Sequence, residues 1–227
     1  MKAITLVLVM IALLMSGCSK KEALPEKCET KGPSFVLDND GNQVKQGAEW
    51  RCHPNGAWKA ALSWKDGKEH GKFVKWHENG TKEKEINVKD GKRHGKEFWW
   101  HENGKKRMES NWKEGYEHGK SVGWHENGKK RWEINYKEGK EHGKVINWYE
   151  NGTKSSEGNY KDGERHGKSI VWHENGEKFA ESTSKDGKKH GLSVQWHENG
   201  QKTLEGNFKD GKLHGKAIEW DENGQLI

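Results

Sequence analysis

Aliphatic residues are scarce in this chain. Leu, Ile, Val and Phe together make 34 of 227 residues, and eight of those 34 lie before residue 18. A domain of roughly 200 residues buries most of its surface only with far more aliphatic volume, which excludes an ordinary globular enzyme built on one thick core. Charge of one sign is lacking too: 41 basic residues stand against 35 acidic ones, a formal excess of +6. That is too small for charge-driven disorder and too dispersed for a nucleic-acid footprint. The longest largely apolar run, residues 3–15, falls short of the ~20 residues that a spanning helix needs. A nucleophile elbow, a P-loop and a dinucleotide fingerprint are all missing. What is abundant is tryptophan, 13 residues, and glycine, 29. This combination predicts a thin, repetitive structure with an aromatic seam.

The first residues read as an address. Lys2 precedes the apolar run, and Ser16, Gly17 and Cys18 follow it, the layout of a secretory signal. The run Leu14-Met15-Ser16-Gly17-Cys18 resembles a bacterial lipobox, with Met15 where Leu is usual. The resemblance implies cleavage after residue 17 and a lipid on Cys18, which anchors the chain without a spanning helix. Residues 18–34 then form the lipidated cysteine and a polar tether, and 35–51 an irregular N-terminal cap. Ser19 after the cysteine favours the outer over the inner membrane, with the protein periplasmic or surface-exposed in the cell envelope. In an oxidising compartment the two remaining cysteines, Cys28 and Cys52, are expected to form a disulfide.

Internal repetition dominates the rest. Trp76, Trp100, Trp124, Trp148, Trp172, Trp196 and Trp220 follow one another at intervals of 24 residues, and Cys52 occupies the slot one step earlier. A second marker, Asp/Glu-Gly-x-x-His-Gly, recurs in the same register from Asp66 to Gly215. Residues 52–227 therefore hold seven or more copies, the last partial. Each copy reads as a β-hairpin around Asn-Gly, a strong hairpin signal because both residues tolerate positive φ. The stretch Asp90–Gly95 and its equivalents read as longer links between hairpins. The expected fold is all-β, an elongated single-layer antiparallel sheet of tandem 24-residue hairpins.

Period-two alternation assigns the faces. Trp50, Val74, Phe98, Val122, Ile146, Ile170, Val194 and Ile218 each precede a slot residue by two positions. The second strand of each copy has a matching slot: Trp64, Val88, Trp112, Tyr136, Tyr160, Ser184 and Phe208. Counting by twos puts both sets on one face, with Met108, Trp132 and Leu204. It puts the recurrent Glu85, Glu109, Glu133, Glu157, Glu181 and Glu205, with their companion Asn residues, on the other.

The run Glu205–Lys216, with its Gly-x-x-His-Gly turn, resembles the MORN repeat. The 24-residue spacing and the aromatic-x-x-Asn-Gly turn resemble the bacterial MORN-variant family often labelled YwqK-type antitoxin component. This resemblance covers residues 47–227. It implies a twisted sheet of hairpins and a role in interaction rather than catalysis. The antitoxin role sits badly with an export signal, so only the fold carries over.

Thirteen histidines raise the question of metal. Equivalent residues in successive copies stand ~10 Å apart and cannot share one zinc ion, whose ligands lie ~2 Å away. No metal or other cofactor is expected. The recurrent carboxylates form no unique pair for acid–base work, so no enzyme is expected either. Two binding roles remain: a protein–protein interaction scaffold, or recognition of envelope glycan or lipid headgroups through the aromatic-rich face. Choline-binding cell-wall repeats are similar arrays, but their aromatic cages need closer rings. The residues placed on the binding face are Trp76, Trp100, Trp124, Trp148, Trp172 and Trp196. An edge-strand homodimer through residues 216–220 is a further expectation, since unpaired edges invite strand addition.

Overall fold

A computed structural model describes residues 27–227. The signal segment and Cys18 lie outside the described residues. Within them there are 18 strands and no helix, joined in one open antiparallel sheet. Pairing follows chain order from Ser34–Leu37 to Lys212–Glu219, except that Lys68–Glu69 and Gly71–Trp76 both pair with Trp58–Lys65, and Tyr116–Glu117 and Gly119–Trp124 both pair with Lys106–Lys113. The segment 35–51, expected to be irregular, is largely strand: the second half of Gln43–Cys52, from Gly47 on, pairs with Trp58–Lys65, so the array begins before residue 52. Cys28 and Cys52 are bonded, with their Cα atoms 5.9 Å apart. The bond ties the chain around residue 28 to the start of the sheet.

The two turns exchange the characters that the sequence suggested for them. The Asp-Gly turn is the tight one. Lys89 pairs directly with Lys92, and Asp90 and Gly91 both have positive φ, 51° and 78°, as a primed two-residue hairpin requires. The same holds at all seven Asp/Glu-Gly pairs. In the His-Glu-Asn-Gly turn only the glycine has positive φ. There the Gly80 N–H donates to the His77 carbonyl, and the Asn79 side chain accepts from the Thr81 N–H. Asn79 acts through its side chain, as an Asx turn does, and not through its backbone freedom.

The facial assignment needs correcting, and one residue per copy is the reason. Trp100 pairs with Lys106, but Trp99 pairs with Met108, so Arg107 is an extra residue in the second strand. The same bulge recurs in every hairpin from Trp58 to Lys202. A one-residue shift sends every later side chain to the opposite face. Consequently Glu109 lies beside Phe98 and Val122, and Glu133 beside Val122 and Ile146. The Glu and Asn ladder therefore shares its face with the Val/Ile row. Trp112, Tyr136, Tyr160 and Phe208 lie on the opposite face, each across from a positive-φ glycine such as Gly95 or Gly119.

Apolar packing concentrates at one end. Ala61, Val74 and Trp76 are buried, with Trp50 and Trp58 against them. Trp58 and Ala61 hold the positions that Lys82 and Glu85 hold one copy later. Only there does the charged ladder give way to a hydrophobic cluster.

Candidate functional site

On the face shared by Val/Ile and Glu, each glutamate is clamped by two lysines. Glu85 accepts from Lys72 and Lys82, both at 2.7 Å, and Glu133 pairs with Lys120 at 2.6 Å and Lys130 at 3.0 Å. The pattern repeats at Glu109, Glu157 and Glu181. At Glu205 only Lys202 remains, because Leu192 replaces the other lysine. Lysine hydrogen bonds hold the Glu109, Glu157 and Glu181 carboxyls below their ordinary pKa. At Glu85 and Glu133 burial opposes the shift, and the two lysines outweigh it. The ladder holds eleven lysines to six glutamates. The ladder thus carries five more lysines than glutamates.

The same lysines cover the slot tryptophans. Lys82 stands over Trp100, Lys106 over Trp124, Lys130 over Trp148, Lys154 over Trp172 and Lys178 over Trp196, at 5.5–5.8 Å from the ring centroids. A cation over an indole face is a stabilising contact, and it takes up the ring surface that a cationic ligand would use. Trp76 is 6% exposed and belongs to the apolar cluster. The other five are partly buried.

The histidines line the turns. His53, His77, His101, His125 and His173 place Nε2 at 2.9–3.3 Å from the carbonyl of the next slot tryptophan, so Nε2 carries the proton. Tyr149 makes the equivalent bond through its hydroxyl. Asn79 Nδ2 donates to the Glu102 carbonyl, and the same rung recurs from Asn55 to Asn199. On the other edge His70, His94, His142, His166 and His190 face a carboxylate of the following turn at 3.2–3.9 Å. These contacts join copy to copy. Among the described residues no three His, Cys, Asp or Glu side chains gather as a metal site.

Two copies carry a buried carboxylate on the opposite face, Glu49 and Glu97. Three residues before each slot residue, from Cys52 to Trp220, the chain has Glu49, Phe73, Glu97, Ser121, Val145, Ser169, Ser193 and Ala217. Glu97 is 1% exposed, in a sheet with no second layer to bury it. A buried carboxylate is costly unless paired, and this one is surrounded. Lys84 Nζ and Trp99 Nε1 both lie 2.9 Å from Oε1, while Ser110 Oγ donates to Oε2 at 3.4 Å and Arg93 stands 3.7 Å from it. Trp112 Nε1 donates to Ser110 Oγ at 3.0 Å. The two indoles are thereby fixed as walls of an open depression of about 380 Å³, completed by Met108, Arg107 and Glu117. Burial raises the Glu117 pKa, with Glu97 adding to the effect and Arg93 opposing it.

Comparison with known families decides the assignment. The model described as "MORN repeat variant" matches residues 69–90, 93–114, 117–138, 141–162, 189–210 and 213–227, together more than half of the chain. The chain belongs to this family. No curated protein matches it significantly. The matched segments pass over 165–186, the MORN-variant copy with Ser184 in its aromatic slot. MORN repeats generally mediate binding to proteins or membrane lipids, typically without catalysis.

Within this MORN-variant sheet the six tryptophans expected on the binding face form one periodic column, with Trp76 at its buried end. The depression around Glu97 lies on the other face, in the 93–114 copy, and counting by twos missed it. The signal was present: no other copy holds an aromatic residue where Trp99 stands, and only Glu49 matches Glu97 three positions before the slot.

Proposed function

We propose that this chain is a non-enzymatic envelope lipoprotein, anchored through Cys18, whose MORN-variant sheet is a protein–protein interaction scaffold. The observation that carries the reading is the single layer. Only nine hydrophobic residues among those described are buried, so nearly all the ordered chemistry of the sheet faces outward. A repeat array of this form offers a long, preformed contact surface and no enclosed reaction chamber. Trp100, Trp124, Trp148, Trp172 and Trp196 contribute their exposed edges to that surface, whereas Trp76 is held in the core.

The test is capture from detergent-solubilised envelope with the tagged lipidated chain, followed by reconstitution with the purified partner. A discrete protein that binds at a fixed stoichiometry supports the scaffold. A second reading, binding to anionic lipid headgroups, has its own observation in the eleven-to-six lysine ladder. For that reading the unlipidated chain co-sediments with phosphatidylglycerol vesicles, not with phosphatidylcholine vesicles, and salt releases it. Co-sedimentation without any protein partner refutes the scaffold.

A further inference from the structure

We propose that the depression around Glu97 is the docking pocket of this scaffold, taking an aromatic side chain of a partner protein that has a carboxylate beside it. The inference rests on the scaffold reading and names the place and the chemistry of contact. Its floor is already satisfied. Glu97 accepts from Lys84, Trp99 and Ser110, so it positions the walls and leaves little bonding capacity for a ligand. The walls are Trp99, Trp112 and Met108, all partly exposed. Trp, Met and Arg are the residue types enriched where interfaces concentrate their energy, and the volume is that of a small-ligand site.

Charge selects the occupant. Arg93 and Arg107 line the depression against Glu97 and Glu117, and Lys84 pairs with Glu97. Lys84 and Arg93 are spent on Glu97, and Arg93 also stacks on Trp112 at 4.5 Å. Arg107 has no hydrogen bond or ion pair among the described residues, only a distant approach to the Trp99 ring at 5.9 Å. It is the bulge residue of its strand, exposed at the rim. Glu117, whose carboxylate has no hydrogen-bond partner among the described residues, pairs in register with Trp112 and so lies at the other end. A carboxylate is therefore drawn to the Arg107 end and repelled from the Glu117 end, while the aromatic ring fills the space between the indoles. A cation at the rim end of the ring meets Arg107 instead.

The pocket is tested with three blocked dipeptides, acetyl-Asp-Phe-amide, acetyl-Asn-Phe-amide and acetyl-Lys-Phe-amide, titrated into the whole soluble chain. The readout is the indole N–H resonances, assigned through Trp99→Phe and Trp112→Phe. The Asp peptide saturates the Trp99 and Trp112 signals in the millimolar range, on the order expected for one side chain. The Asn peptide binds about tenfold more weakly, and the Lys peptide more weakly still. Arg107→Ala brings the Asp peptide down to the Asn level, while Arg131→Ala, one copy on, leaves it unchanged. Tightest binding by the Lys peptide overturns the proposal, as do shifts spread evenly over the tryptophans or an absence of saturation. Capture with the Arg107→Ala bait separates the two claims. A partner retained in full refutes the pocket and leaves the scaffold standing, whereas peptide binding without any captured protein does the reverse.

Discussion

Glu97 gives the sharpest test of how the sheet is held together. It is 1% exposed, and its ion pair with Lys84, which is 12% exposed, is the most buried among the described residues. Removing one partner of such a pair strands the other. Glu97→Ala leaves the Lys84 ammonium beside the Phe73 and Trp99 rings, 5.9 and 4.6 Å from their centroids, with no carboxylate. It also frees the indole N–H of Trp99 and one bond of Ser110. Breaking a buried pair costs about 3–5 kcal/mol, most of it the uncompensated charge. The lower end applies here, because Lys84 retains some contact with water. The double variant Lys84→Met, Glu97→Met removes both charges and is expected to recover at least half of the loss, about 1.5–2.5 kcal/mol. Unfolding in urea followed by tryptophan fluorescence gives the difference. In a repeat array this is a local loss, so hydrogen exchange should show it within the 93–114 copy and its neighbours. A Glu97→Ala cost below 1 kcal/mol would refute the reasoning. So would a double variant as unstable as the single one.

Three further outcomes follow from the geometry. Removing the disulfide with Cys28→Ser, Cys52→Ser opens a loop of about 25 residues and should cost about 3.5 kcal/mol on the chain-entropy account. The loss should be confined to the start of the sheet, as seen by faster hydrogen exchange in Gln43–Cys52 and unchanged exchange beyond Lys130. Gly123→Ala should cost about 1–3 kcal/mol or more by overpacking, because its new methyl falls inside the Trp132 indole. Trp132→Leu should restore much of that in thermal melts, and an additive double variant would show that the rings do not meet. Acid should weaken the sheet through the lysine ladder. Glu85, Glu109, Glu133, Glu157 and Glu181 have carboxyls depressed below 4.5 in the folded state. Their contribution is complete above the unfolded value and is lost as pH falls through the folded ones. The urea midpoint should hold from pH 7 to about 5 and decline below about 4.5, less steeply in Glu157→Gln. A midpoint flat to pH 3 would contradict this.

The repeat, the sheet and the absence of a thick core were legible because they depend on spacing, and spacing survives in the sequence unchanged. What spacing does not reveal is one residue in 24. The bulge at Arg107, Arg131 and their equivalents has no residue type of its own: the same position holds Glu83, Ser155, Phe179 and Thr203. A bulge is dictated by the turn before it, where Gly104 at positive φ and the Asn103 side chain set the strand's re-entry angle. Parity counting across that turn returned the right residues on the wrong face. It joined Trp112 to Trp100, which the sheet separates, and parted Glu109 from Phe98, which the sheet pairs. The consequence for function is large, because the misplacement concealed that Glu97, Trp99, Arg107, Met108 and Trp112 converge. The bulge is itself testable. Arg131→Ala, with the backbone intact, should change stability by less than about 0.5 kcal/mol, as at most surface sites. Deleting Arg131 removes the shift, and Trp132, Ile134 and Tyr136 must then either swing to the lysine face or slip in register. Either way the copy at 117–138 should lose its hydrogen-exchange protection while the early copies keep theirs. If the deletion were as mild as the substitution, the bulge would be incidental and the facial assignment would rest on something else.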